Sequence, residues 1–264
     1  MLIAQISDFH ITAPGTLYQG IIPTEVMAEA AVAHVNNLDP APDLVLFTGD
    51  LVESGLTEEY DAARNVLEKL DAPYAVLPGN HDDRENFRAA FRDHAYLPRN
   101  GPLHFCLNDA PVRVIGLDCS VPNQHYGALD LDGFTWLETC LRADPEKPTV
   151  LATHHHPVAS GVPYLDAYAN RSGPKIEGLL REFDNIIRIL FGHVHRLMMA
   201  PFAGSLAVSC PSTASQIALR THENAAPASF MEPPGILLHV LRPGGSSLSH
   251  FSPIGDFGPA MDFF

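Results

Sequence analysis

Along this chain, apolar runs keep stopping at the same few polar residues. "LIAQIS" runs into Asp8-Phe9-His10, "LVLFT" into Gly49-Asp50, and "YAVLP" into Gly79-Asn80-His81-Asp82. Later, "TVLAT" stops at His154-His155-His156-Pro157 and "IIRILF" at Gly192-His193-Val194-His195. Short apolar runs bounded by turn residues read as buried strands. Between the first three, residues 24–38 and 57–70 carry apolar residues at helical spacing, with Thr24 and Thr57 as expected caps. Strands alternating with helices predict a mostly parallel sheet with crossover helices. The carboxyl ends of parallel strands open onto one crevice, where ligands bind. All five polar endings are therefore expected on one side of the molecule, with Gly49, Gly79 and Gly192 permitting the turns.

The middle of the chain adds strands at "LHFCLN", "VRVIGLD" and "PTVLATHHH", with helices near 131–143 and 173–184. The remainder, "RLMMAPFAGSLAVSC", "GILLHVLRP" and "SSLSHFSP", reads as hairpin-like antiparallel strands turning at Gly204 and Gly244–Gly245. The Pro-rich segment 222–235 reads as a loop. No repeat or linker divides the chain, so one mixed α/β domain with two packed sheets and outer helices is expected.

A formal net charge of -15, with 16 Lys plus Arg against 31 Asp plus Glu, argues against a nucleic acid polymer or an anionic membrane as the main partner. It leaves room for a small anionic substrate, because bound divalent ions reverse the sign locally. Cys106, Cys119, Cys140 and Cys210 form no CxxC pair, which predicts reduced, buried thiols in a cytoplasmic protein. The chain opens as a strand rather than a leader, and no apolar run approaches membrane-spanning length.

Taken singly, each polar ending has an ordinary reading: a turn, a helix cap at Asp82 or Asp83, a solvated histidine tract, or two core histidines. Taken together they require five accidents at successive strand ends. If the last strand keeps its alternation, His193 and His195 share a face. By the same rule His154 and His156 share one and His155 points away. Asp, Asn and His gathered in one crevice suit divalent metals of intermediate hardness.

The order D-x-H, GD, GNHD, H-H-x-P and GHxH resembles the calcineurin-like metallophosphoesterase superfamily. Spacings are closest to the branch holding bacterial glycerophosphodiesterases and class III cyclic nucleotide phosphodiesterases, with "TLYQG" and Pro211-Ser212-Thr213 as further matches. The likeness spans residues 8–195 and weakens beyond about 215. It implies an α/β fold, a four-layer α/β/β/α sandwich of two mixed β-sheets flanked by helices, as a single domain over 1–264. Residues 215–264 would supply C-terminal strands, a loop and a tail.

The resemblance also implies two divalent metal ions sharing a carboxylate. Asp8, His10, Asp50 and His195 would hold the first, and Asp50, Asn80, His154 and His193 the second. His155 stays the alternative to His154. His156 would line the substrate pocket, stand in solvent or support a metal ligand from behind. Mixed nitrogen and oxygen donors without thiolate suit Mn, Fe, Zn or Co. His81 would meet the phosphate or the leaving alkoxide, making His81, Asp50 and Asn80 the catalytic set.

The implied activity is hydrolysis of small phosphate diesters, 3′,5′-cyclic nucleotides or glycerophosphodiesters, by a hydroxide held between the metals. A phosphomonoesterase or nucleotide pyrophosphatase, or a non-catalytic metal-stabilised binding protein, are the alternatives. Substrate contacts are expected from loops 11–23, 120–130, 158–172 and 215–235, with Tyr18, Asn123, His125, Tyr164 and His222 as candidates. The partner is a small phosphodiester, with no membrane. Phenylalanines in the tail "GDFGPAMDFF" are expected to pack on the domain or on a second copy of a homo-oligomer.

Overall fold

The computed structural model describes residues 1–242, 245–259 and 261–262. Its first half runs β1 (Leu2–Ile6), α1 (Thr24–Asn36), β2 (Leu44–Thr48), α2 (Thr57–Leu67), β3 (Tyr74–Leu77), α3 (Arg84–Ala90), β4 (Phe105–Leu107) and β5 (Arg113–Leu117). Then follow α4 (Leu131–Ala143), β6 (Thr149–Thr153), α5 (Pro163–Asp166), α6 (Gly173–Leu180) and β7 (Ile186–Phe191). The chain ends with β8 (Met198–Phe202), β9 (Ser205–Ser209), β10 (Gln216–Ile217), β11 (Ser229–Phe230), β12 (Gly235–Leu241) and β13 (Ser247–Pro253).

Two large mixed sheets form, in the orders β13-β12-β1-β2-β3 and β4-β5-β6-β7-β9-β8. β1, β2 and β3 are parallel, as are β5, β6, β7 and β9. Alternation along the strands sorts side chains into three cores. Ile3, Leu46 and Leu77 meet Val114, Val150 and Leu190 between the sheets. Val45, Phe47 and Val76 face α1 and α2. Ile115, Leu151 and Ile189 face α4 and α6. The layers are therefore helix, sheet, sheet, helix.

The helices form where an apolar stripe meets a sheet. In α1 the buried residues Ala28, Ala31, Val32 and Val35 recur at helical spacing. The expected caps are corrected. Thr24 and Thr57 are first residues of their helices, which begin from Pro23 and Leu56. At α2 the exposed backbone donors are taken by Glu59, whose carboxylate accepts from Ser54 N at 2.9 Å and Leu56 N at 3.2 Å. Asp83, rather than Asp82, caps α3 by accepting from Glu85 N and Asn86 N.

Other boundaries differ as well. The predicted helix 173–184 ends at Leu180. Loop 158–172 contains the one-turn α5, and the Pro-rich loop contains β11, which pairs with β10. β8 and β9 form the expected hairpin at Gly204, but β9 also adds parallel to β7. Of the predicted Gly244–Gly245 turn, Gly244 lies outside the described residues, as do Phe263 and Phe264 of the tail; Phe257 is exposed. All four cysteines are free, but only Cys119 and Cys210 are buried; Cys106 and Cys140 are half-buried.

Polar joints hold the two sheets in register beside the strand ends. Gln5, fully buried in β1, donates through Nε2 to Thr48 Oγ1 and to Phe191 O of the other sheet, both at 3.0 Å. Its Oε1 accepts from His239 Nε2 at 3.0 Å. Arg84 at the start of α3 grips Asp118, just after β5, with Nε–Oδ2 at 2.7 Å and Nη2–Oδ1 at 3.1 Å. Replacing Gln5 by Leu leaves the His239 N–H buried without its partner and reduces the Phe191 carbonyl to its bond from Cys210 N. A loss of about 1–3 kcal/mol is expected, read as a lower urea midpoint at unchanged slope. An unchanged midpoint would contradict the joint.

Candidate metal centre

The five strand ends do converge. Asp8 N donates to Gly49 O and His10 N to Asp50 O, each at 3.0 Å, so the segments after β1 and β2 stay paired beyond the sheet. Gly192 N donates to His154 O at 3.0 Å, which ties the ends of β6 and β7. Asp82 closes the "GNHD" turn by accepting from Gly79 N at 2.8 Å, Leu51 N at 3.3 Å and Tyr60 Oη at 3.0 Å.

The backbone is unusual at these points. Among the described residues eight non-glycines have positive φ, and five of them are Asp8, His10, Asp50, His193 and His195. Such conformations cost on the order of 1–3 kcal/mol each and persist only where the surroundings over-determine them. Close approach also explains two glycines. A Cβ at Gly79 would lie 2.1 Å from Asp50 Oδ1, and one at Gly192 would lie 2.0 Å from Ser7 Oγ.

Two groups of donors result, sharing Asp50. Asp8, His10, Asp50 and His195 bring one ligand atom each within 4.8 Å of one another. His195 Nε2 is 3.1 Å from His10 Nε2 and 3.3 Å from Asp8 Oδ1. Asp50, His154 and His193 form the second group. There His154 Nε2 lies 3.2 Å from both Asp50 Oδ2 and Asn80 Oδ1, and 3.3 Å from His193 Nδ1.

The far ring nitrogens fix the direction of three of the four donor imidazoles. His10 Nδ1 pairs with Glu53 at 2.7 Å, His154 Nδ1 with Thr48 O at 2.8 Å, and His195 Nδ1 with Ser215 O at 2.9 Å. Holding a proton on the far nitrogen leaves the near lone pair for a cation. Asn80 Nδ2 sits 3.4 Å from His125 Nδ1, which turns its carbonyl oxygen inward.

His155 and His156 stand apart. His155 is fully buried against Gly127, with neither ring nitrogen hydrogen-bonded. His156 is also fully buried, stacks on His193 at 5.3 Å, and has Nε2 3.4 Å from Asp166 Oδ1. It lines no wall of the central cavity, so the solvated and pocket-lining expectations are corrected, while its stacking is compatible with the third, a place behind a donor histidine. The chain tightens after β6 and folds the third histidine inward instead of leaving it on the open face.

The cavity over both groups has a volume of about 470 Å³. Tyr18, His81, His125 and Tyr164 line it, whereas His222 does not. Asn123 lines a neighbouring cavity that shares Asn80 and His81. Sequence reasoning missed Glu53, which holds His10 and also lies 3.2 Å from His81 Nδ1. Nothing in the local pattern marks it; it matters because residues 51–53 run beside 10–11, with Glu53 N on Ile11 O. Leu165, Tyr168 and Ile217 were missed for the same kind of reason.

The electrostatics describe a site short of positive charge. Burial opposes ionisation of Asp8 and Asp50, yet the histidines around them hold both carboxyls below the ordinary range. Burial works against protonation of His154, but Asp50 and Asp8 raise it to about 9. His195 is raised in the same way by Asp8. Burial keeps His193 neutral, its lone pair available. Protons on His154 and His195 thus occupy positions that suit metal cations.

The family model described as calcineurin-like phosphoesterase matches residues 1–197, which include every donor above. The chain is 33% identical to a probable glycerophosphodiester phosphodiesterase GpdQ of Arcobacter nitrofigilis, over 100% of this chain and 97% of that protein. It is 27% identical to the 3′,5′-cyclic adenosine monophosphate phosphodiesterase CpdA of Escherichia coli, over 81% of this chain and 76% of that one. A dimetal phosphatase from Danio rerio shares the fold, with a TM-score of 0.61 and 13% identity over 94% of this chain and 98% of that chain. The chain belongs to the calcineurin-like phosphoesterase family and is a hydrolase of phosphate esters.

Metal binding should displace the protons on His154 and His195. Uptake of Mn²⁺ at pH 7 is expected to release protons, and apparent affinity should rise between pH 6 and pH 9 as those imidazoles lose their protons unaided. Calorimetry in two buffers of different ionisation enthalpy reads the release. Identical heats in both buffers would refute it.

Proposed function

We infer that the chain hydrolyses small soluble phosphate diesters at the paired donor groups, within the substrate classes of its relatives, glycerophosphodiesters and 3′,5′-cyclic nucleotides. The observation that carries the reading is the sharing of one buried carboxylate, Asp50, between two donor groups. Asp8, His10, Asp50 and His195 would hold one divalent ion, and Asp50, Asn80, His154 and His193 a second, chosen from Mn, Fe, Zn or Co. The donor set fits such ions: two ionised carboxylates, one amide oxygen, three imidazoles whose far nitrogens are already bonded and the neutral imidazole of His193. Bound there, the ions would supply Lewis-acid charge and lower the pKa of a water molecule.

The chain's own residues do the rest. His81 turns Nδ1 to Glu53, with Glu53 O at 2.8 Å, and so offers Nε2 to the cavity. Burial opposes its protonation, but Asp50 and Glu53 raise its pKa to about 10. Glu53 favours a proton on the His81 ring, which suits His81 to give a proton to the departing alkoxide. Glu53 positions both His81 and His10. No Lys or Arg lines the cavity among the described residues. A dianionic monoester usually meets such donors, so their absence supports the singly charged diester.

The same reading makes the protein a cytoplasmic homo-oligomer that binds neither nucleic acid polymers nor membranes. No described helix is long and apolar enough to cross a membrane, all four cysteines are free, and Ile21, Leu219, Phe230 and Met231 are exposed apolar side chains that a second copy could cover. A monomer in sedimentation at micromolar concentration would remove the oligomer from this reading.

Activity on bis-p-nitrophenyl phosphate with Mn²⁺ tests the chemistry. Asp50→Ala should abolish turnover, and Glu53→Gln should lower it about 10–100-fold. The diester should be hydrolysed faster than p-nitrophenyl phosphate. Near-normal rates in Asp50→Ala, or a preference for the monoester, would overturn the reading.

A further inference from the structure

The relatives carry two kinds of substrate name, so kinship does not choose between a glycerol arm and a nucleoside arm. The cavity wall does. Away from the metal donors, α5 and the turn after it present Tyr164, Leu165 and Tyr168. The C-terminal segment faces them with Ile217, Pro227 and Ala228. Rings continue toward the reaction centre. Tyr168 meets His125 edge-on at 5.7 Å, and His125 lies 5.9 Å from His81. On the opposite side Tyr18 stacks on His10 at 5.0 Å with planes 20° apart.

The wall is held in shape. Asp166, the last residue of α5, accepts from Ser160 N and Ser160 Oγ, both at 2.6 Å. His156 approaches the same carboxylate at 3.4 Å, and its backbone carbonyl accepts from Asn170 N at 3.0 Å. The third histidine of the triple run thus links the wall to the segment that carries His154. Across the cavity, Gln19 and Ser229 lie 3.4 Å apart and bond to each other. The hydroxyls of a glycerol arm would face mainly methyl groups and ring faces here.

We propose that this wall receives a flat unsaturated ring on one ester arm, so that the preferred diester is a nucleotide, with Tyr164 and Tyr168 as the specificity-determining residues and His156 and Asp166 as positioning residues. The proposal rests on the diesterase reading for its phosphate and on the wall alone for its ring. Stacking suits such a surface because every base has a π-face, and the gain does not depend on hydrogen-bond readout.

The test uses the full chain reconstituted with Mn²⁺. Calorimetry compares adenosine with glycerol, neither of which carries phosphate. Kinetics compare 3′,5′-cyclic AMP with glycerophosphoethanolamine. Adenosine should bind and glycerol should not, and cyclic AMP should have the higher kcat/KM. The Tyr164→Ala, Tyr168→Ala double variant should weaken adenosine binding by about tenfold or more and raise KM for cyclic AMP more than it lowers kcat. The Tyr164→Phe, Tyr168→Phe variant keeps both rings and should restore binding. Asp166→Asn should raise the same KM with little effect on kcat. Adenosine binding no tighter than glycerol, or unaltered in the Ala variant, would overturn the proposal. A protein inactive on every diester that still binds adenosine through the two tyrosines would sink the hydrolase reading and leave the wall standing.

Discussion

The structure turns on the Asp50 carboxylate, which is withdrawn from water at a point where two sheets end together. A buried carboxylate is costly unless compensated, and Asp8 lies buried nearby with the same need. Among the described residues no lysine or arginine pairs with either one; imidazoles surround them instead. Imidazole can compensate a carboxylate by taking a proton, or it can stand neutral beside a cation that compensates both. The second course is open to the neutral His193, and it is the one that a candidate metal site requires.

Keeping those groups together imposes terms on the backbone. The chain leaves its strands in left-handed conformations at five donor residues and brings two glycines against side chains that tolerate no Cβ. Such geometry would relax if the sheets could slide. The apolar interior between them, the Gln5 joint to Phe191 and the Arg84 grip on Asp118 oppose sliding at the edge nearest the site. Stability built into the sandwich thus offsets strain concentrated at its rim.

Much of this is legible in the residues alone. Strands covered on both faces read as continuous apolar runs, and a strand end followed by Asp, Asn or His announces itself. The layered fold and its family follow from that order. What local pattern does not reveal is set by contacts between distant segments. Glu53 matters because residues 51–53 run beside 10–11, and His156 turns inward because the chain tightens after β6. Helix starts were misjudged for a related reason: a threonine one residue inside a helix resembles a cap, while Glu59 supplied the missing acceptor from within the first turn.

The division between legible and hidden parts follows the division of labour in the molecule. Every metal donor lies at a strand end within residues 8–195, where hydrogen bonds between the sheets leave little freedom. The cavity's outer wall is drawn from α5, the residues after it and the segment 215–229, held by bonds such as Asp166 to Ser160 rather than by the strand ends. Residues 215–229 also lie beyond the stretch that the family model matches, which ends at 197. Chemistry fixed by rigid strand ends and recognition carried by loops can change at different rates. This chain's relatives bear different substrate names, one a probable glycerophosphodiester phosphodiesterase and another a cyclic adenosine monophosphate phosphodiesterase. Substrate preference should be sought in the rings and methyl groups that line the cavity away from the donors.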